Sequence, residues 1–321
     1  MNHISSRREF LRGAGVVAAI GLAGCSTSGS GNGGTPTPQQ GNGDIVAVGD
    51  LITHRQMSIV VRKVTRGVSV PDFQPDPGMT NVVVDIAVKN TTSDTLLDGI
   101  SLLPQVVDAQ RKTYIDFSVF LPKGLIYPAT LPGEVVRGQL LFQVPTDETG
   151  QTLQISTAGS FPGTFVDLST TAPSVADLSQ DLVEEAATPG QSVSLLDERF
   201  RVDSVETTSA VGSTQAAPGT EFAVVEATLT NDSSQAKFVT SQTRLKDSTQ
   251  QLYAAVPRLS TNTEIPAGAS DTGVIVYEVD AGSGPFSLAR EVNESVDGQF
   301  RSAKGLWNLE AAGGPGNPIG R

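Results

Sequence analysis

The chain repeats itself, and this repeat constrains the fold more than any single motif does. The segment VVVDIAVKN at 82–90 corresponds to AVVEATLTN at 223–231, an offset of 141 residues. Further along, GQLLFQV at 138–144 corresponds to GVIVYEV at 273–279, where the offset has fallen to 135. Short deletions in loops produce a slow drift of this kind, so we predict that one structural unit occurs twice.

The repeated segments have the pattern of β-strands. In 82–88 and in 138–144 apolar residues recur at every second position, and many of them are β-branched. This period of two is typical of half-buried strands. Turn signals recur between the strands: Pro77-Gly78, Asp98-Gly99, Pro132-Gly133, Pro218-Gly219 and Gly268. The pattern predicts an all-β fold of two tandem β-sandwich domains.

The remaining segments divide the chain around these two units. VADLSQDLVEEAA, from Val175 to Ala187, is the one helical candidate, because Ser174 can cap its start and Pro189-Gly190 can end it. We therefore predict a short helical connector between the sandwiches. The predicted organisation is a signal peptide at 1–24, a flexible linker at 25–43, sandwiches at 44–169 and 190–311, the connector at 170–189 and a disordered tail at 312–321.

The N-terminal stretch SRREFLRGAGVVAAIGLAGC has the layout of an export signal. A positive region with Arg7 and Arg8 precedes a short apolar run, and Leu22, Ala23 and Gly24 then lead to Cys25, the only cysteine in the chain. The twin arginine resembles the twin-arginine export signal, and Leu-Ala-Gly-Cys resembles the lipobox of lipoproteins. This resemblance implies that the chain is cut before Cys25 and that its thiol carries lipid. A buried, unreactive cysteine and an ordinary secretory signal cut elsewhere are the alternatives.

The charge of the chain limits its partners. The formal net charge is −12, and removal of residues 1–24 would make it −14, since three arginines and one glutamate are lost. Phosphate backbones are bound by clustered Lys and Arg, so we expect no nucleic-acid partner. The acidity resembles that of extracellular proteins of salt-loving archaea, for which solubility at high salt is the simplest explanation.

The order of motifs in the first unit resembles a known family. Val-Val-Val-Asp-Ile-Ala-Val-Lys-Asn90 is followed by an Asp-Ala-Gln-Arg-Lys-Thr-Tyr114 turn, and then by Gly138-Gln-Leu-Leu-Phe-Gln-Val-Pro145. This series resembles the immunoglobulin-like domain of unknown function on bacterial and archaeal surface lipoproteins, which is similar to secreted immunoprotective antigens. The second copy departs from the pattern at its turn, Lys246 to Tyr253. The resemblance implies an extracytoplasmic protein and brings no catalytic residue with it.

The sequence gives little support for catalysis or metal binding. Without its first 24 residues the chain has one histidine, His54, so a serine or cysteine triad lacks an obvious base. Zinc and copper sites need clustered His and Cys. Calcium accepts scattered carboxylates, and Asp72, Asp76, Asp94 and Asp98 are loop candidates, but no 12-residue calcium loop is present. We expect no enzyme activity, no cofactor and no metal.

Three triplets match the acceptor pattern for N-glycosylation. They begin at Asn90, Asn231 and Asn293. Export would make modification feasible. Asn90 and Asn231 each end a predicted strand, however, so both are also explained as turn residues.

These observations favour a lipid-anchored protein of the cell envelope, on the outer face of the cytoplasmic membrane. We expect the membrane to be contacted through lipid on Cys25, and the two sandwiches to bind another envelope protein or a polymer. An accessory solute-binding or sensor subunit of a transporter is the alternative. A hydrolase with an atypical site is a third hypothesis.

Overall fold

The computed structural model describes residues 45–309, apart from residues 55, 71–72, 98–101, 127, 158–159, 184, 240–241, 262–263 and 297–298. The described residues form strands and one short 3₁₀ helix, Ser118–Phe120, and include no α-helix. The strands build two successive β-sandwiches, which we call module 1 (residues 45–171) and module 2 (residues 190–309). The prediction of a tandem all-β fold is confirmed.

Module 1 consists of nine strands in two sheets. They are β1 Ile45–Val48, β2 Leu51–His54, β3 Met57–Arg66, β4 Met79–Asn90, β5 Leu102–Val107, β6 Thr113–Tyr114, β7 Val135–Pro145, β8 Thr152–Thr157 and β9 Ser160–Thr171. One sheet has the order β1-β9-β8-β5-β6 and the other has the order β2-β3-β4-β7. Strand β1 runs parallel to β9, and every other neighbouring pair in module 1 is antiparallel.

Module 2 repeats this plan with additional short strands. They are β10 Ser192–Leu195, β11 Glu198–Thr208, β12 Ala210–Val211, β13 Thr214–Gln215, β14 Thr220–Asn231, β15 Lys237–Phe238, β16 Thr243–Lys246, β17 Leu252–Ala254, β18 Glu264–Ile265, β19 Ser270–Asp280, β20 Ser287–Val296 and β21 Gln299–Asn308. The main sheets have the orders β10-β11-β14-β19 and β17-β16-β20-β21. Each corresponds to a sheet of module 1 in strand order.

Each module has its own apolar core between its two sheets. In module 1 the core takes alternate residues of β4, such as Val84 and Ile86, with Phe142 from β7. In module 2 it takes Val225 from β14, Tyr277 from β19 and Trp307 from β21. Because side chains of a strand alternate between faces, the period-two pattern of the sequence places these residues inward.

The repeat extends to details of the backbone. The pairing of β3 with β4 shifts register between Val61 and Lys63, and the pairing of β11 with β14 shifts between Val202 and Ser204, 141 residues later. Gly49 N donates to Val61 O at 2.7 Å, and Gly190 N donates to Val202 O at 2.8 Å. Both modules therefore have the same β-bulge and the same turn before it.

The connector has no regular secondary structure in its described residues after β9, so the predicted helix at Val175–Ala187 is wrong. The described residues of this segment, all except residue 184, are not helical. Their N–H groups bind distant carbonyls instead: Ala176 N donates to Gly49 O at 2.8 Å, and Asp181 N donates to Gly133 O at 3.0 Å. Leu178 is buried against Val60, Ala87 and Val135 on the outer face of module 1. These tertiary contacts override a helix propensity that is only a weak preference.

Candidate functional site

The residues of the predicted signal and anchor lie outside the part of the chain that the structure describes. They are Arg7, Arg8, Leu22, Ala23, Gly24 and Cys25. Among the described residues, no helix is long and apolar enough to cross a membrane. The anchor therefore stays a prediction from the sequence.

Asn90, a predicted glycan acceptor, is fully buried and fully hydrogen bonded. Its Nδ2 donates to Thr95 O and to Thr130 O, both at 2.8 Å. Its Oδ1 accepts from Thr92 N at 2.9 Å and from Thr92 Oγ1 at 2.7 Å. The side chain thus fixes the loop after β4, with the Thr of the triplet as a structural partner.

Asn231 makes the same network in module 2. Its Nδ2 donates to Gln235 O at 2.7 Å and to Ile265 O at 2.9 Å, and its Oδ1 accepts from Ser233 N and Oγ. Both asparagines have 0% exposure. A glycan on either Nδ2 would displace buried hydrogen bonds, and both asparagines hold turns in the folded protein. Glycosylation of either residue stays a prediction.

Asn293, the third predicted acceptor, has a different position. It lies on β20, opposite Ser302 of β21, and its side chain is exposed. The folded protein leaves this residue accessible. Its glycosylation stays a prediction.

A tyrosine–aspartate pair stabilises the equivalent turn of both modules. Tyr114 Oη donates to Asp108 Oδ2 at 2.8 Å, and Tyr253 Oη donates to Asp247 Oδ2 at 3.0 Å. Burial raises the pKa of Asp108, but the hydrogen bonds from Tyr114 and from backbone amides outweigh it and leave that pKa below its usual value. Burial and the Asp108 carboxylate raise the pKa of Tyr114 to about 12. The turn in module 2, which departs from the pattern in sequence, keeps the same geometry.

Four charged side chains meet where module 1 contacts module 2. Oε1 of Glu134 is 2.8 Å from Lys246 Nζ, and its Oε2 is 3.0 Å from Lys304 Nζ. Glu291 Oε1 lies 3.6 Å from the same Lys304 Nζ. The side chains of Glu134 and both lysines have 0% exposure. We call these four residues the ionic cluster.

Backbone and amide groups complete the ionic cluster. Lys246 Nζ donates to Gln180 Oε1 of the connector at 3.1 Å, and Lys304 Nζ donates to Ala129 O at 2.5 Å. Leu131 N donates to Glu134 Oε2 at 2.8 Å. Module 1, the connector and module 2 therefore all contribute to one buried polar site.

The environment shifts the pKa values of three residues in the ionic cluster. Burial raises the pKa of Glu134, but the adjacent Lys304 and Lys246 reverse this and hold it below its usual value. Burial lowers the pKa of Lys246, which Glu134 only partly offsets. Burial raises the pKa of Glu291 despite Lys304. Two acids and two bases balance formally, so removal of one of them would leave an uncompensated buried charge.

Further contacts join the modules around the ionic cluster. Arg137 N of β7 donates to Gln250 O at 2.8 Å, and Ala254 N of β17 donates to Pro122 O at 2.9 Å. Lys123 Nζ binds Asp280 Oδ2 at 2.7 Å near the surface. These bonds involve backbone on both sides, so the contact between the modules has a specific register.

Sequence reasoning missed the ionic cluster. A signal was available in the repeat itself. At the repeat offsets, Glu134 corresponds to Ala269 and Lys246 corresponds to Val107. A charge at a position where the other copy has an apolar residue marks a place where the two copies have different surroundings.

A second buried ion pair lines a pocket of about 460 Å³ in module 2. Arg290 Nε lies 2.8 Å from Glu198 Oε1, and Lys237 Nζ lies 3.1 Å from Glu198 Oε2. Lys237 also pairs with Asp197. A hydrogen bond to Asp197 raises the pKa of Glu294. The charges of this pocket, which we call the Lys237 pocket, are thus largely paired with one another.

A cleft of about 620 Å³ lies beside the connector. Ala187 forms a parallel bridge with Trp307 there, in the position that Val46 of β1 has beside Val166 in module 1. Ala186, Ala187 and Gly305 line the cleft. Small residues therefore replace the bulkier strand β1 of module 1 and leave space.

The described residues contain no group of three or more His, Cys, Asp or Glu that could hold a metal ion. Of the loop candidates for calcium, Asp72 and Asp98 lie outside the described residues. His54 ends β2 and faces Met57 across the hairpin to β3.

The fold and its repeated buried turns define a protein of two tandem β-sandwich modules. A family model described as a domain of unknown function (DUF4352) matches residues 46–164 and again residues 188–299. The chain therefore belongs to the DUF4352 family and contains two copies of its domain. No curated protein matches the chain.

Solved structures provide remote neighbours. The ycdA protein from Bacillus subtilis, a candidate lipoprotein, is 14% identical over 39% of this chain and 40% of its own, with a TM-score of 0.31. The yjhA protein from Bacillus subtilis is 18% identical over 39% of this chain and 99% of its own, with a TM-score of 0.30. An uncharacterised β-sandwich protein from Clostridium difficile is 14% identical over 40% of this chain and 97% of its own, with a TM-score of 0.22.

Proposed function

We propose that this chain is a lipid-anchored protein of the cell envelope that presents two immunoglobulin-like modules as a non-catalytic binding unit. Its partner is another envelope protein or a polymer. The observation that carries this proposal is the buried ionic cluster, which joins the modules and the connector through Glu134, Lys246, Lys304 and Gln180. A pair fixed in this way presents loops from both modules in one constant arrangement, which is useful for recognising an extended partner.

The buried charges support a structural role over a catalytic one. Both buried groups of ions, at the ionic cluster and at Glu198–Arg290, are paired within the protein. Besides a cleft and a perturbed pKa, a catalytic acid or base needs a side that is free towards substrate. The closed pairing of these residues serves the fold.

The anchor can be tested directly in cells that export the protein. We expect mass spectrometry to find a mature N-terminus at Cys25 that carries lipid, and Cys25→Ser to release the protein from membranes. Replacing Arg7 and Arg8 with lysine should keep the precursor inside the cell. An unmodified Cys25 in a membrane-free mature protein would contradict the anchor.

The binding role needs a separate test. Cross-linking on intact cells, at the salt concentration of growth, should recover one partner with the intact protein. Glu134→Ala, which disturbs the contact between the modules, should reduce recovery if both modules engage the partner together. A matched variant, Arg199→Ala at an exposed pair with Asp232, should leave recovery unchanged.

The Lys237 pocket favours a second candidate function, an accessory solute-binding or sensor subunit. Its volume of about 460 Å³ lies within the roughly 300–1,000 Å³ of small-molecule sites. Ligands with a carboxylate and an amino group would match its mixed charges. A melting-temperature shift with such compounds, lost in Lys237→Met, would support this candidate, and no shift across the panel would exclude it.

A further inference from the structure

Module 1 has a surface patch that the described residues of module 2 do not repeat. The rings of Phe73, Phe117 and Phe120 pack together, with centroids 4.9 Å apart for Phe73–Phe117 and 4.6 Å apart for Phe73–Phe120. All three are half-buried over Val83 and Leu141, on the outer face of the sheet β2-β3-β4-β7. Along the same segment, Ile115 is 65% exposed and Val119 is 67% exposed. We call these five residues the aromatic patch.

The equivalent place in module 2 is not aromatic. Phe117 N donates to Leu141 O at 2.7 Å, and Val256 N makes the same bond to Val276 O at 2.7 Å, so Val256 is the counterpart of Phe117. The loop that holds Phe73 corresponds to the small hairpin β12–β13, which contains no phenylalanine. The sandwich can therefore form without the patch, and core packing alone does not explain its two exposed apolar side chains.

The segment around the patch also has an unusual charge. Residues 109–123 contain three bases and one acid, in a chain with 22 bases and 34 acids. The acid, Asp116, is bound to Ser118 N and Leu141 N, and Lys123 is paired with Asp280. Arg111 and Lys112, four and three positions before Ile115 in the chain, remain as exposed positive charges.

We propose that the aromatic patch rests on a lipid surface and orients the tethered modules on it. Half-buried aromatic rings, exposed aliphatic side chains and adjacent basic residues together are typical of surfaces that bind the membrane interface. The rest of the chain is acidic, so an anionic membrane attracts this segment and repels the other faces. This proposal rests on the proposed function, in which lipid on Cys25 anchors the chain to the membrane.

The linker is long enough for such an orientation. Nineteen residues, 26–44, separate Cys25 from the start of β1, and 6 of them are Ser or Thr while another 6 are Gly. Whatever its conformation, a segment of nineteen residues spans at most about 65 Å. Attachment at this range keeps the patch at a high effective concentration near the membrane, so a weak contact is sufficient.

The test supplies the tether chemically, so it does not depend on lipidation in cells. Because Cys25 is the only cysteine, the mature chain Cys25–Arg321 can be coupled to vesicles that contain maleimide-headgroup lipid. Amide hydrogen exchange of residues 113–121 is then compared between coupled and free protein. We expect exchange to slow at least five-fold on coupled vesicles with anionic phospholipid, and less on neutral ones.

Two double variants make the test specific. Ile115→Ser with Val119→Ser should remove the protection, because both apolar contacts are lost. Val175→Ser with Val183→Ser is the matched control, since these connector side chains are 43% and 62% exposed. The control should keep the protection seen with the unmodified sequence.

Three results would overturn the proposal. They are equal exchange in coupled and free protein, equal loss of protection in both double variants, and protection that appears in free protein at raised concentration, which indicates self-association. Mass spectrometry of the native N-terminus reports separately on the anchor, so failure of the patch and failure of the lipid are distinguishable.

Discussion

Modules 1 and 2 agree most closely where polar side chains are buried in turns. Asn90 and Asn231 bind the same set of loop groups, and the pairs Asp108–Tyr114 and Asp247–Tyr253 hold the same turn. Gly133 and Gly268 both have positive φ, +76° and +74°, and both follow the loop that closes on the asparagine. These interactions are contained within each unit, so each copy needs them to fold.

The modules differ where they contact each other, the connector or solvent. Glu134 of module 1 has Ala269 as its counterpart, and the aromatic patch has no counterpart among the described residues of module 2. In module 2 the connector residue Ala187 replaces β1. The difference teaches that the two copies have specialised: module 1 supplies the central carboxylate of their contact, and module 2 supplies the two lysines.

The largest predicted effect is at the ionic cluster. Glu134→Ala should lower the free energy of unfolding by about 4 kcal/mol, because it leaves two buried ammonium groups with one remaining acid. Urea denaturation followed by circular dichroism measures this change. Arg199→Ala, at an exposed pair, should cost less than about 1 kcal/mol. Equal effects would show that the cluster is hydrated and does not join the modules.

The next largest loss of stability is expected when either of the two buried asparagines is replaced. Asn90→Ala and Asn231→Ala should each cost about 3 kcal/mol, because each removes at least four hydrogen bonds made by one buried amide side chain. Thermal unfolding of both variants would show whether the modules unfold together. If Asn90→Ala produces two transitions and Asn231→Ala produces one, the equivalence of the modules fails.

Tyr114→Phe and Tyr253→Phe should each cost about 1.5 kcal/mol, since each removes a hydrogen bond to a carboxylate. The pKa of Tyr114 is raised from 10.0 to about 12, so its contribution is complete below about pH 10 and is lost as the pH rises towards 12. The pKa of Asp108 is lowered from 3.8, so its contribution is present above that value and is lost in stronger acid. Denaturation at several pH values tests both limits. As the control, Tyr114→Phe should lose less stability between about pH 10 and about pH 12 than the unmodified protein does, although Tyr253, whose pKa is also raised, still titrates.

The smallest predicted change in stability concerns Ala187, the connector residue that occupies the position of β1 in module 2. Ala187→Val should stabilise the protein by up to about 1 kcal/mol, because it fills part of the cleft beside Trp307. The reciprocal variant, Val46→Ala, should cost a similar amount in module 1. Differential scanning calorimetry of the two variants measures both changes. Destabilisation by Ala187→Val would show that the cleft lacks room for the two methyl groups.

The sequence predicted the strands well because their signals are local. Alternating apolar residues and Pro-Gly turns marked β4, β7, β14 and β19, and an offset that drifts slowly from 141 to 135 identified the repeat. The prediction of a helix in the connector failed for a related reason. Its helical pattern was real, but hydrogen bonds to Gly49 and Gly133 and the burial of Leu178 outweighed it.

The triplets at Asn90 and Asn231 show a second limit of local patterns. The same three residues describe a glycan acceptor and a buried turn network, and only the exposure of Nδ2 separates the two. The pairing of charges in the ionic cluster could not be predicted from local patterns for a simpler reason. Glu134 and Lys246 are separated by 112 positions, and no periodicity relates them.

By itself the sequence determined that two similar all-strand units follow one another, because strand period and turn chemistry are encoded by near neighbours in the chain. It also determined the motifs before Cys25, on which the proposed anchor depends. Only the tertiary structure decided which charges are buried, which asparagines are enclosed and how the connector runs. These outcomes depend on which surfaces meet, and burial changes the energy of a charge or an amide far more than its neighbours in sequence do.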